Sequence, residues 1–139
     1  MSLDLIKEFE TAQLAEFHHQ DHIHLAWLYL QKYDLWTALG RFCASLKHLA
    51  TAHGQAVRYN ETMTGASMCI IHERMVKGSV ITWAEFAQHN PDLFQWPATI
   101  LHQYYSAETL ASPLAKQTFL FPDQVGTKTS ANLDTNNNG

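Results

Sequence analysis

The sequence has little charge, no run of basic residues and no long apolar segment. Only 16% of its 139 residues are charged, and nine Lys and Arg stand against thirteen Asp and Glu, a net charge of −4. Because the basic residues do not cluster, nucleic acid is not an expected partner. Apolar runs such as residues 25–30 are far shorter than the roughly 20 residues that span a bilayer, so no membrane segment is expected either.

Common signatures of other protein classes are also missing. The N-terminus lacks a basic stretch followed by an apolar one, so no secretory signal is expected and a cytoplasmic location is predicted. Cys43 and Cys69 do not form a CxxC pair, and both are predicted to be buried free thiols. No phosphate-binding loop, dinucleotide fingerprint or nucleophile elbow occurs. The sequence therefore leaves the substrate, the small-molecule ligand and the oligomeric state open.

What the sequence does contain is helical periodicity. Apolar residues make up 46% of the chain and recur mainly at spacings of three and four, which predicts an all-α, single-domain helical bundle. About four main helices are expected, followed by short C-terminal helices. The domain is predicted to cover residues 1–125. Residues 126–139, rich in Thr, Asn and Ser, are predicted to form a disordered tail.

Capping residues set most of the predicted boundaries. The first helix is expected from Leu3 to about Glu16 and the second from about His18 to Tyr33. Asp34 is the predicted N-cap of a third helix that runs to His53, with Gly54 at its C-cap, and Asn60 begins a fourth that runs to Lys77. Thr82 and Glu85 have capping-box spacing for a short helix that ends at Asn90-Pro91. Residues 97–105 and 106–111 are expected to form short helices, and residues 119–122 an apolar strap.

A histidine cluster, His18 to His24, begins the second helix. His19 and His22 lie three residues apart, so their imidazoles share a helix face and can reach one ion. His18 and His22 form an alternative pair. The phase of the helix favours the first pair, because His19 lies on the buried stripe with Ile23 and His22 lies at its edge.

Topology adds two partners from other helices. Consecutive helices with short connections run antiparallel, so the start of the second helix should lie beside the end of the third and the start of the fourth. His53 and Glu61 occupy those two ends in the inward phase. The sequence thus predicts a mononuclear metal site of His19, His22, His53 and Glu61, a ligand set that suits zinc or ferrous iron.

Several alternatives to this metal site stay open. Asp21 and Tyr59 are candidate catalytic residues that orient a ligand or move a proton. His19 or His22 paired with Asp21 would make a general base without any metal. The same polar pocket would also suit a non-catalytic module that binds a small molecule or a protein. His53 and Glu61 have a simpler explanation as residues that complement helix dipoles.

The chain resembles an uncharacterised family of small, all-helical bacterial proteins over most of residues 5–123. The resemblance rests on Phe17, His19, Asp21 and His22, then Leu25-Ala26-Trp27 and Tyr29-Leu30, then His53-Gly54, then Tyr59, Glu61, Thr62 and Thr64, and more weakly on Tyr105-Ser106 and Phe121-Pro122-Asp123. It implies a shared helical fold and a shared pocket, and it carries no established activity. The family often has histidine where this chain has Asn60.

Overall fold

The computed structural model describes residues 2–79, 82–96 and 99–124. The predicted disordered tail, residues 126–139, lies outside this part of the chain, as does Pro97, the predicted start of a short helix. The helices are α1 (Ser2–Glu10), α2 (His19–Lys32), α3 (Leu35–Ala52), α4 (Glu61–Lys77), α5 (Trp83–His89), α6 (Ala107–Ala111) and α7 (Pro113–Gln117). Short 3-10 turns cover Ala56–Arg58, Pro91–Phe94 and Ile100–Gln103. The described residues contain no strand, and the predicted all-α, single-domain fold is confirmed.

Polar side chains cap the starts of three helices as predicted. Asp34 accepts a hydrogen bond from the Thr37 amide at the start of α3. Asn60 accepts one from Met63 at the start of α4, and Thr82 accepts one from Glu85 at the start of α5. Each cap satisfies one of the amides that the first helical turn leaves without a partner. These three caps fix where the chain changes direction around the bundle.

The first helix is shorter than predicted, because it ends at Glu10 instead of Glu16. Ala12 has a φ of +59°, and its amide donates to the Phe9 carbonyl while the Gln13 amide donates to the Glu8 carbonyl. This pair of bonds is the Schellman arrangement that closes a helix, and its left-handed position normally holds glycine. Without a glycine there, the sequence carries no sign of the early end.

An aromatic cluster forms the centre of the main core. Phe9, Tyr29 and Phe42 are completely buried, and the ring of Phe42 lies 5.1 Å from Phe9 and 5.5 Å from Tyr29. The Tyr29 hydroxyl donates to the Glu10 carboxylate at 2.7 Å. Since α1, α2 and α3 each contribute one of these three rings, the cluster holds the first half of the bundle together.

A smaller core lies between α4 and the C-terminal segments. Leu101, Tyr105 and Leu110 are buried there with Ala66 of α4. The predicted strap passes over this core: the Thr62 hydroxyl donates to the Thr118 carbonyl and accepts from the Leu120 amide. Helix α7 lies just before the strap and was not predicted, although Ser112 followed by Pro113 is a recognisable helix start.

The sequence-based expectation that both cysteines are buried is wrong. Cys43 is only half-buried and Cys69 is exposed, so the two thiols are not both core residues. Trp36, in the first turn of α3, is 73% exposed. None of the described helices has the length and apolar content needed to span a membrane.

Candidate functional site

A cavity of about 440 Å³ opens where the starts of α2 and α4 meet the end of α3. Ligand pockets in proteins commonly have volumes of this order. Its wall includes four histidines: His18, His19, His22 and His53. Apolar side chains of α3 and α4, together with Trp96, Thr99 and Leu101, complete the wall. Three histidines of the cluster, His18, His19 and His22, therefore line a cavity, whereas the ring of His24 stacks on Trp83.

His22 is the most deeply placed of these histidines. Its ring packs 5.1 Å from Phe42 and 6.0 Å from Phe17. Burial, together with the nearby His19, lowers the pKa of His22 from 6.5 to about 4. The ring is therefore neutral at physiological pH. Its Nε2 is screened from solvent and, within the described part of the chain, is the one buried side-chain nitrogen or oxygen that makes no hydrogen bond.

His19 is held in one orientation at the edge of the cavity. Its Nε2 lies 2.8 Å from the carbonyl oxygen of Leu93. A carbonyl can only accept, so Nε2 carries the proton and Nδ1 is the free ring nitrogen of the neutral form. The indole of Trp96 stacks on the ring at 5.1 Å. Trp96 is itself 62% exposed and forms part of the cavity wall.

The carboxylate of Asp21 caps the start of α2. Its carboxylate accepts a hydrogen bond of 2.9 Å from the His18 amide and lies 3.4 Å from His18 Nδ1. This is the reciprocal half of a capping box. The structure therefore pairs Asp21 with His18, whereas the acid-base hypothesis paired it with His19 or His22.

His53 is an exposed residue at the C-cap of α3. Its amide donates to the Leu49 carbonyl, and the next two amides donate to Thr51 and Ala50. Gly54 makes this closing turn with a φ of +69°. The imidazole thus reaches the cavity from its rim, and the last carbonyls of α3 already have backbone partners.

Tyr59 lines the cavity, but its hydroxyl is engaged on the outer side. It donates to the Glu61 carboxylate at 2.6 Å, and the ammonium of Lys47 lies 3.8 Å from the same carboxylate oxygen. Burial, followed by the neighbouring Cys43 and Glu61, raises the pKa of Tyr59. Glu61 therefore belongs to a surface network with Lys47 and is not part of the cavity wall.

The structure brings together three of the four predicted metal ligands. His19, His22 and His53 share the cavity, together with Tyr59, while Glu61 and Asp21 lie outside its wall. Across residues 2–79, 82–96 and 99–124, no three histidine, cysteine or acidic side chains are grouped closely enough to hold a metal ion.

Sequence reasoning did not identify three further residues of the wall as site residues: Arg58, Ser67 and Trp96. Arg58 lies in the 3-10 turn between α3 and α4, where no helical periodicity exists to assign it a face. Ser67 follows the buried Ala66 in α4, and a lone serine carries no signal of its own. Trp96 lies outside every helix, so no periodicity assigns it a face. Comparisons with models of known protein families, with curated proteins and with solved structures found no match.

Proposed function

We propose that the protein binds a small organic molecule in the histidine-lined cavity and that the neutral imidazole of His22 makes a hydrogen bond to it. The observation that carries the proposal is the buried, unpartnered Nε2 of His22 in a ring that lines a cavity of about 440 Å³. The expected cytoplasmic location is part of the proposal.

The free energy of an unpaired buried nitrogen supports this assignment. A buried polar atom without a partner costs roughly 1–3 kcal/mol. Because Nε2 of His22 is screened from solvent, a ligand reaches it only after a neighbouring side chain moves, and a hydroxyl, carbonyl or amide group placed there then removes that cost. Because the ring is neutral, it can donate from one nitrogen and accept at the other, so it suits an uncharged polar group of the ligand.

Filling the cavity should abolish this binding. A fragment library screened by ligand-observed NMR should give hits with the natural protein, and these hits should be lost in Ala50→Phe, because Ala50 lines the cavity and phenylalanine occupies it. Ala44→Phe is the matched control: Ala44 lies in the same helix at an exposed position outside the wall. If the hits persist in Ala50→Phe, or if no fragment binds, the proposal is wrong.

A mononuclear zinc or iron site is the second candidate function. It is favoured by the position of His19, His22 and His53 around one cavity, and these side chains would have to move closer together to hold an ion. The free Nδ1 of His19 and the unpartnered Nε2 of His22 would be the ligating atoms. Glu61, the fourth predicted ligand, would have to leave Lys47 and Tyr59 to reach the ion. A bound ion with an open position would activate water or polarise a carbonyl, which would make the protein an enzyme.

Elemental analysis tests the metal hypothesis directly. Protein purified without added metal should contain about one equivalent of zinc or iron, and both His19→Ala and His53→Ala should lose it. His48→Ala, an exposed histidine of α3 outside the cavity, should keep it. Absence of metal from every preparation, with melting unchanged by added zinc or iron, would eliminate this candidate and leave small-molecule binding unaffected.

A further inference from the structure

We infer that the ligand of this cavity is a monoanionic organic carboxylate with an apolar body. The inference rests on the proposed small-molecule function and adds its chemical class. It is carried by the exposed guanidinium of Arg58 at the cavity wall, which has no acidic partner among the described residues, by two helix starts that converge there, and by the apolar character of the remaining wall.

The three arginines of the chain differ in what they contact. Arg74 makes two hydrogen bonds to the Asp92 carboxylate, and Arg41 lies over the ring of Tyr33. Arg58 is different. Among the described residues no carboxylate comes within 4.0 Å of it, and its one hydrogen bond is a 3.5 Å contact with Gln55. The chain has more acidic than basic residues, so the unpaired guanidinium in the cavity wall does not result from a shortage of carboxylates.

Two long helices also begin at this cavity. The wall includes His18 and His19 at the start of α2, and Asn60 and Met63 at the start of α4. Helix starts carry a partial positive charge and attract anions, and here Asp21 and Glu61 in the first turns of α2 and α4 offset part of that charge. The C-terminal end of α3, which carries a partial negative charge, also lies at the cavity. Its last carbonyls accept hydrogen bonds from backbone amides, and this partly offsets the negative charge.

Acidic groups at this end of the bundle are mostly engaged elsewhere. Asp21 bonds the His18 amide, and Glu61 is held by Tyr59 and Lys47 outside the wall. Glu16 is the acidic side chain of the wall itself and it is exposed. Among the described residues Arg58 is the single permanent cation of the wall, so the wall can offset one negative charge of a ligand but not the two charges of a phosphate dianion.

The rest of the wall is apolar and aromatic. Leu46, Leu49, Met63 and Leu101 line the interior, and the exposed indole of Trp96 lies at its edge. A ligand with a carboxylate near Arg58 would place its hydrocarbon part against these side chains. A planar guanidinium fits a carboxylate with two parallel hydrogen bonds, which fixes the orientation of the ligand.

A matched pair of ligands tests the charge requirement. 1-Naphthylacetate and 1-naphthylacetamide have nearly the same shape and differ in charge. By isothermal titration calorimetry, the carboxylate should bind the natural protein at least about tenfold more tightly than the amide, since charge-assisted bonds are roughly twice as strong as neutral ones. Arg58→Gln should remove this preference and leave the affinity for the amide unchanged.

Arg41→Gln is the matched control, because Arg41 is an exposed arginine remote from the wall and its loss should preserve the preference. The melting temperature of Arg58→Gln should equal that of the natural protein, which separates lost binding from lost folding. Equal affinities for the two compounds, no binding of either, or a preference that survives Arg58→Gln would each overturn the inference. The fragment screen with Ala50→Phe tests the cavity itself, so the two failures are distinguishable.

Discussion

Between pH 7 and pH 4, the His22→Phe variant is expected to lose about 3 kcal/mol less of its free energy of unfolding than the natural protein loses. The expected size follows from the fall of the His22 pKa from 6.5 to about 4 on folding. Each unit of such a shift corresponds to about 1.4 kcal/mol. Phenylalanine preserves the contacts with Phe42 and Phe17 but takes up no proton.

The sign follows from which state binds the proton first. Above pH 6.5 His22 is neutral in both states, and its titration does not change the free energy of unfolding. As the pH falls below 6.5, the unfolded chain takes up a proton that the folded chain refuses, so unfolding becomes easier. The loss reaches its full size near pH 4, where the folded state is protonated as well.

Urea unfolding at several pH values gives the free energy of unfolding as a function of pH. The slope of this free energy against pH should be smaller for His22→Phe than for the natural protein. The comparison is needed because carboxylates titrate in the same range. His48→Phe, which replaces an exposed histidine of α3, should retain the slope of the natural protein. If the slopes of His22→Phe and the natural protein coincide, the imidazole is not buried in its neutral form.

Phe42→Ala should have the largest effect on stability of any substitution considered, about 3–5 kcal/mol. Phe42 is completely buried and contacts the rings of Phe9, Tyr29 and His22. Removing its ring leaves a void that α1, α2 and α3 cannot all close. The Phe42 ring also packs against His22, so the variant should bind cavity fragments more weakly in addition to being less stable.

Phe121→Ala is the control of the same residue type. Phe121 is 85% exposed, and its loss should cost no more than about 0.5 kcal/mol in urea unfolding. A destabilisation of similar size in the two variants would mean that the aromatic cluster around Phe42 is not the centre of the core.

Local signals account for most of the fold that could be predicted. Asp34, Asn60 and Thr82 each cap a helix because a short oxygen-bearing side chain satisfies a nearby amide, and this depends only on adjacent residues. The end of α1 depends instead on Ala12 taking a left-handed conformation. The packing around Ala12 imposes this conformation, and the residue type alone does not indicate it.

The candidate site was harder to predict because it depends on helix faces. Glu61 has the same phase as the buried Met68, which predicted an inward side chain. Helix α4 is packed on more than one side, however, with the strap bonded at Thr62 and with α2 and α3 against its other faces. When a helix is buried on several sides, one apolar stripe no longer defines the inner face, and Lys47 provides an outer partner for Glu61.

The bonds that anchor the start of α4 join residues far apart in sequence. Asn60 Nδ2 donates to the Leu110 carbonyl, and Thr62 bonds the backbone at Thr118 and Leu120. During synthesis these partners leave the ribosome 50 to 58 residues after the residues at the start of α4 that they anchor. A nascent chain that has released α1 to α4 therefore still lacks the anchors of the cavity wall, and the proposed ligand binding is expected to begin only when α6 and α7 have emerged.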